Sequence, residues 1–269
     1  MRLVLAFLFA FTAPAFAAPP DITQPTTIYV STTGNDANDG SEAAPLRNPQ
    51  AALDRATSYC FNKHKVTIDI GPGTFEPYWL VWPWYCPGDL DIVGAGQTST
   101  IIASSEAGAR GFFCRARVRL PGTLTIKDMR FDIPNGVGIW HGCAGIVVVK
   151  DVTFGDAITM IGNIDFPSYL IINGLIGIDG SAQNFLQVDA GPVSFLDATV
   201  SISGTRTFQS FLLCKFMGML AAGATFYGNV SESTKRFSLG VGCRVDNKGQ
   251  AFPGAPGTFD TGSFWAGPQ

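Results

Sequence analysis

Leu124-Thr125-Ile126-Lys127-Asp128-Met129-Arg130-Phe131 is echoed 23 residues on by Val147-Val148-Val149-Lys150-Asp151-Val152-Thr153-Phe154. The same step leads to Leu170-Ile171-Ile172-Asn173-Gly174-Leu175-Ile176-Gly177 and to Val193-Ser194-Phe195-Leu196-Asp197-Ala198-Thr199-Val200. Leu124, Val147, Leu170 and Val193 head the copies, and Ile126, Val149, Ile172 and Phe195 follow in step. Met129, Val152, Leu175 and Ala198 form a third series, and Phe131, Phe154, Gly177 and Val200 a fourth. A step of 26 then brings in Met219, Ala221, Ala224 and Phe226. Within each copy the apolar residues fall at i and i+2, then at i+5 and i+7. That spacing describes two short alternating strands joined by a corner, not a helical stripe. A unit this small cannot bury its apolar face alone and must stack on the next copy. The periodicity therefore predicts an all-β right-handed parallel β-helix, a solenoid whose rungs of about 23 residues rise about 4.8 Å each.

The 269 residues are 46% hydrophobic, enough for a sizeable core, and only 14% charged. The 31 glycines suit a fold with many tight corners. A net charge of -3 leaves no basic footprint, which excludes nucleic acid as an expected partner. A surface so poor in charge is adhesive, and an oligomer is one way to cover it.

Residues 1–17 read as a signal peptide. Arg2 supplies the positive start, Leu3 to Phe11 the apolar run, and Ala15-Phe16-Ala17 the small-x-small cleavage pattern. No later stretch is long and apolar enough to span a membrane as a helix. Cys60, Cys86, Cys114, Cys143, Cys214 and Cys243 in an exported chain suggest disulfides. The separations 60 to 86, 114 to 143 and 214 to 243 are each about one rung with its loops. Stacked positions on adjacent rungs lie within disulfide reach, so the expected bonds are 60–86, 114–143 and 214–243. A metal is not expected, because the chain has no Cys-x-x-Cys and only two His.

Residues 18–27 are an extended, Pro-rich lead-in, and Ile28-Tyr29-Val30 is the first strand. A loop dense in turn formers, 31–40, precedes Asn48 at an N-cap position and Pro49 at the first helical one. The expected helix, Gln50 to Tyr59, turns Ala52, Leu53 and Ala56 to one side and covers the open first rung. The β-helix is expected over 28–230, followed by a Gly- and Pro-rich end cap or subunit-contact segment at 231–269.

Tyr29-Val30-Ser31, Gly34-Asn35-Asp36-x-Asn38-Asp39-Gly40, Pro45 and the Ala51-Ala52-Leu53 helix resemble the N-terminal entry of pectin-lyase-like β-helix proteins. That family includes phage tailspike and tail-fibre proteins and bacterial surface proteins. Val66 to Phe75 and Leu90 to Gly96 look like its first rungs. Phe226-Tyr227-Gly228-Asn229, Arg236-Phe237-Ser238 and the run Phe252 to Gly262 resemble the ending of its phage and prophage members. The resemblance implies the fold and a homotrimer, but no single activity, since the fold hosts lyases, hydrolases, adhesins and inert spikes. Virion tail proteins normally lack an export signal, so the signal favours a secreted or cell-surface protein. The Asp-His and Arg-containing motifs of pectate lyases and the Asn-Thr-Asp, Asp-Asp and Gly-His-Gly motifs of polygalacturonases are absent.

Asp128, Asp151 and Asp197 recur at one corner, with Gly174 between them, and Asp156 and Asp179 share a second spacing. As chemistry, Asp128, Asp151 and Asp156, with Asp132 and Asp165 near, would be an acid and nucleophile pair of a glycosidase. As structure, they are corner residues that bond their own backbone. A lyase would use Lys127 or Arg130 as base and a Ca²⁺ held by carboxylates; no other cofactor is called for. Tyr78-Trp79-Leu80-Val81-Trp82-Pro83-Trp84-Tyr85 is either core or a glycan platform, because aromatic faces stack on sugar rings. Strand alternation forbids Trp79, Trp82 and Trp84 from all pointing inward. His141 reads as structural, and Asp36 and Asp39 as turn residues rather than a Ca²⁺ loop, since no Glu follows at the required spacing. The expected function is recognition of a polysaccharide or surface glycan without turnover. The alternatives are a polysaccharide lyase or glycoside hydrolase, and a structural module derived from a phage tail.

Overall fold

The computed structural model describes residues 19–81, 84, 86–115, 118–163, 168–216, 218–246, 252–259 and 264–266. The signal-peptide expectation, Trp82 and Asp165 lie outside the described residues. The chain winds into a parallel β-solenoid of about six turns with one short helix. Each turn contributes a strand to each of three faces. The first face holds β1 (Thr26–Val30), β2 (Val66–Ile70), β5 (Leu90–Gly94) and the opening segments of β8 (Arg119–His141), β9 (Ala144–Asn163), β10 (Ser168–Ile178) and β12 (Pro192–Arg206). The second holds β3 (Gly73–Phe75), β6 (Thr100–Ala103), the next segments of β8, β9, β10 and β12, and β15 (Thr225–Val230). The third holds β4 (Tyr78–Leu80), β7 (Arg110–Cys114), the ends of β8 and β9, β11 (Ala182–Val188), β13 (Ser210–Cys214) and β16 (Lys235–Leu239).

Leu124, Val147, Leu170 and Val193 are register partners and fully buried, as are Ile126, Val149, Ile172 and Phe195. Stacked apolar columns of this kind form the core, and the Phe131 and Phe154 rings lie 5.9 Å apart within it. Between the first and second faces the chain turns through a single left-handed residue. Asp128, Asp151, Gly174 and Asp197 hold that place with φ of 57°, 51°, 66° and 51°. Asp tolerates this region better than most residues because its short polar side chain bonds locally. At Asp151 the bond is visible: Oδ1 accepts from the Leu175 N–H of the next turn at 2.8 Å.

The sequence period fails at the Gly174 corner, at the Asp197 corner, where one more residue sets Ala198 opposite Gly174, and in the turn that follows. Leu175, expected inside, is 45% exposed, and Ile176 stands opposite Val152 and Val200 in its stead. Gly177 likewise stands opposite Thr153, and Ile178 takes the inward place opposite Phe154. One extra residue at the Gly174 corner causes the slip, and a one-residue slip exchanges inside for outside. In the next turn Leu220 and Ala222 stand opposite Val193 and Phe195, while Met219 and Ala221 stand opposite Pro192 and Ser194. The step of 26 does hold for Phe226, which stands opposite Val200.

The helix α1 (Pro49–Thr57) covers the first turn with Ala52, Leu53 and Ala56 buried. Asn48 makes no side-chain cap; its amide donates instead to Asp36 Oδ2. Asp36 Oδ1 also accepts from the N–H groups of Arg47 and Asn48, at 2.9 Å each. Burial pushes the Asp36 carboxyl up, but the bonds from Asn48 and Arg47 prevail and hold it below its ordinary value. Parallel pairing continues past Val230: β16 lies on β13, β17 (Arg244–Asp246) on β14 (Met219–Ala222), β18 (Thr258–Phe259) on β16 and β19 (Phe264–Ala266) on β17. Phe252 closes this end, its ring 5.0 Å from Phe226 and 6.3 Å from Phe211. The three disulfides are Cys60–Cys86, Cys114–Cys143 and Cys214–Cys243, as the spacing predicted.

A methyl at Gly174 would lie 2.3 Å from Asp151 Oδ1 in a backbone conformation that disfavours side chains. Gly174→Ala is expected to cost about 2 kcal/mol or more in urea unfolding. Adding Asp151→Gly should recover part of that loss by removing the clashing oxygen. Equal losses in the single and double variants would reject the clash.

Candidate functional site

Along the third face, strand alternation sends Tyr78, Phe112 and Ile139 inward, where each is fully buried. The residue after each points outward. Trp79, Phe113 and Trp140 are therefore register partners on three successive turns, an aromatic ladder along the solenoid axis. Trp79 is 52% exposed, and the other two are half-buried. The Arg110 guanidinium packs over both neighbouring rings, 4.3 Å from the Phe113 centroid and 5.4 Å from that of Trp140. Such stacking holds the cation by the ring quadrupoles.

Both ends of the ladder are fixed. At one end Gln50 of α1 clamps the main chain of Trp79: its Oε1 accepts from Trp79 N at 2.7 Å and its Nε2 donates to Trp79 O at 3.1 Å. At the other, the Trp140 indole lies across Gly162, where a methyl would come within 2.7 Å of the ring. Gln187 follows in the same column, buried, its amide donating to both oxygens of Asp189 at 2.9 and 3.1 Å.

Two hollows lie at the stretches between the second-face and third-face strands. One of about 500 Å³ is lined by Glu76, Glu106 and Asp132, among others. A second, of about 760 Å³, is lined by Asp156, Ser181 and Gln183 among others, and Pro134 lines both. The hollows offer carboxylates, hydroxyls and amides, and no ladder residue lines them.

Asp128 and Asp151 stack on adjacent turns at the corner between the first and second faces, and Asp156 sits apart from them, after the second-face segment of β9. Four residues separate Asp151 from Asp156, five steps or about 16 Å of extended chain. Lys127 Nζ lies 3.6 Å from Asp128 and Lys150 Nζ 3.9 Å from Asp151. Asp156 Oδ1 accepts from Ser181 N at 2.8 Å. Arg130 passes Gly155 to reach Asp179 at 2.6 Å, so both groups are engaged. Asp132 lines the first hollow and Asp156 the second.

Of the proposed tryptophans, Trp79 faces solvent. Trp84 is 2% exposed, stacked on Phe61 at 5.2 Å and donating from Nε1 to Gly88 O, so it presents no face to a ligand. Phe113, Trp140 and Arg110 were not singled out by the sequence. Their signal was the outward place after a buried residue, obscured by loops of unequal length between the third-face strands.

His141 is fully buried on the inner side of the same face, its Nδ1 3.3 Å from Cys143 Sγ. Burial lowers its pKa to about 4, against the opposing influence of the Tyr169 and Gly145 backbone. Nε2 nevertheless finds no hydrogen-bond partner of sound geometry. No protein-family model matches the chain, and no curated protein matches it in sequence.

The His141 environment makes stability pH-dependent. The unfolded chain takes up this proton below about pH 6.5 and the folded chain only below about pH 4. Stability from this group is complete above pH 6.5 and falls through that window on acidification, by about 3 kcal/mol in all. His141→Leu, compared by urea unfolding at pH 7.5 and 4.5, should flatten the slope by that amount. An unchanged slope would show that the imidazole does not titrate as described.

Proposed function

We propose that the chain is a secreted or cell-surface protein that recognises a polysaccharide or surface glycan through the ladder of Trp79, Phe113 and Trp140, without turning it over. The observation that carries this reading is the ladder itself. Three aromatic side chains at successive turns, one of them 52% exposed, keep apolar surface at the solvent boundary of a fold that has a core to bury it in. Pyranose rings have apolar faces that stack on aromatic side chains, and polar rims that the Arg110 guanidinium can engage. The spacing of the rings along the axis, about 4.8 Å per turn, is close to the length of one sugar residue in an extended chain. The fit is to a linear glycan lying parallel to the solenoid. The three disulfides and the N-terminal Arg2 to Ala17 pattern support export. Kinship with right-handed pectin-lyase-like and tailspike proteins remains part of this proposal, resting on the entry and ending motifs. The exposed Ile146, Leu175 and Leu196 are apolar surface of the kind a homotrimer would cover.

A second reading has one specific support. Asp132 and Asp156 line two hollows that share Pro134. As a hydrolase or lyase the protein would use these two groups, or the stacked Asp128 and Asp151.

Isothermal titration of the purified protein against neutral and acidic polysaccharides tests both readings. Binding to at least one polymer is expected. Phe113→Ala and Trp140→Ala should each weaken it about tenfold, about 1.4 kcal/mol, and Trp79→Ala should do so without lowering Tm. Binding unaffected by all three changes would remove the ladder from the account. Release of new reducing ends that disappears in Asp156→Asn would replace recognition with catalysis.

A further inference from the structure

His141 and the Cys114–Cys143 disulfide form a cluster that neither core packing nor glycan recognition explains. Cys114 ends β7 and is the register partner of His141 on β8, and Cys143 follows in the short connection to β9. All three are fully buried, and one ligand atom from each lies within 4.8 Å of the others. Among the described residues this is the one convergence of three His, Cys, Asp or Glu donors.

The imidazole is poorly served by the oxidised site. Its Nδ1 faces a disulfide sulfur, which donates nothing and accepts weakly, and its Nε2 has no hydrogen-bond partner. A fully buried imidazole with one nitrogen lacking a well-formed hydrogen bond calls for a reason. Two cysteine sulfurs and a neutral imidazole are a donor set for zinc. A tetrahedral Zn²⁺ would set its sulfur ligands about 3.8 Å apart, so the sulfurs must part from bonding distance once the bond is reduced.

We propose that reduction of the Cys114–Cys143 bond opens a buried binding site for a thiophilic cation such as Zn²⁺, held by both sulfurs and by His141 Nδ1. A dithiol supplies the two electrons and two protons. The S–S bond breaks, two S–H groups form, and the dithiol closes to its own disulfide. Binding of Zn²⁺ then releases both thiol protons. Two thiolates against one dication leave no net charge inside the solenoid, which avoids the large cost of a buried ion. The ion would bridge the same two turns as the disulfide. The cluster thus staples those turns under either redox condition.

The full chain is unfolded, reduced with a phosphine and refolded without oxygen in the presence of Co²⁺, a spectroscopic substitute for Zn²⁺. Folding is checked by circular dichroism. The expected result is one equivalent of tightly bound Co²⁺, with sulfur-to-metal charge-transfer absorption, displaced by Zn²⁺. The double variant Cys114→Ser with Cys143→Ser should lose this site while keeping the other four cysteines. His141→Gln, which leaves the disulfide available to the oxidised protein, should weaken binding at least tenfold. The oxidised protein should bind none. The proposal is overturned if the reduced wild type binds Co²⁺ no better than the double serine variant, or if His141→Gln leaves affinity unchanged. A reduced chain that fails to fold with either ion, or oxidised protein that binds equally well, overturns it too.

Discussion

Backbone hydrogen bonding between turns is the interaction on which everything else in this molecule rests. A strand in a parallel solenoid has no partner within its own turn, and its N–H and C=O groups are satisfied only by the turns on either side. Register therefore propagates: once Leu124 stands on Val147, the residues on both sides of it are committed to inside or outside. The aromatic and aliphatic columns of the interior follow from that commitment. So does the need to close both ends, met by α1 at one and by Phe252 with the last short strands at the other.

The same repetition organises the surface. A column of outward positions on one face repeats at the strand spacing, so three aromatic residues there become a regular array with no loop to support it. The ladder is held by its backbone, by Arg110 lying between rings, and by a glycine that lets an indole lie flat. Rigid presentation of this kind limits the ordering cost that binding would otherwise carry.

Much of the fold was legible because the 23-residue echo repeats residue class at every position of the corner, Asp128, Asp151 and Asp197 included. The slips were illegible for a physical reason. Leu175 and Ile176 are both apolar, so the pattern allows two frames, and only packing against Val152 chooses between them. Met219 to Ala222 is apolar throughout and carries no register information at all. The third face was hardest to read, because the stretches of chain between its strands differ in length from turn to turn. Trp79 could be suspected from its neighbours in the chain, but Phe113 and Trp140 join it only through stacking. His141 is similar: Cys143 is its neighbour in the chain, but Cys114 joins them only through stacking of the preceding turn.

The placement of the three disulfides divides the solenoid mechanically. Cys60–Cys86 and Cys114–Cys143 bind the early turns, and Cys214–Cys243 binds the last ones. The turns between, from β9 through β12, have no covalent tie to each other. Under tension applied at the chain ends, the segments 60–86, 114–143 and 214–243 cannot lengthen beyond their cross-links. Of the chain held between cross-links, the run from Cys143 to Cys214 is much longer than that from Cys86 to Cys114, and its turns form the main extensible section.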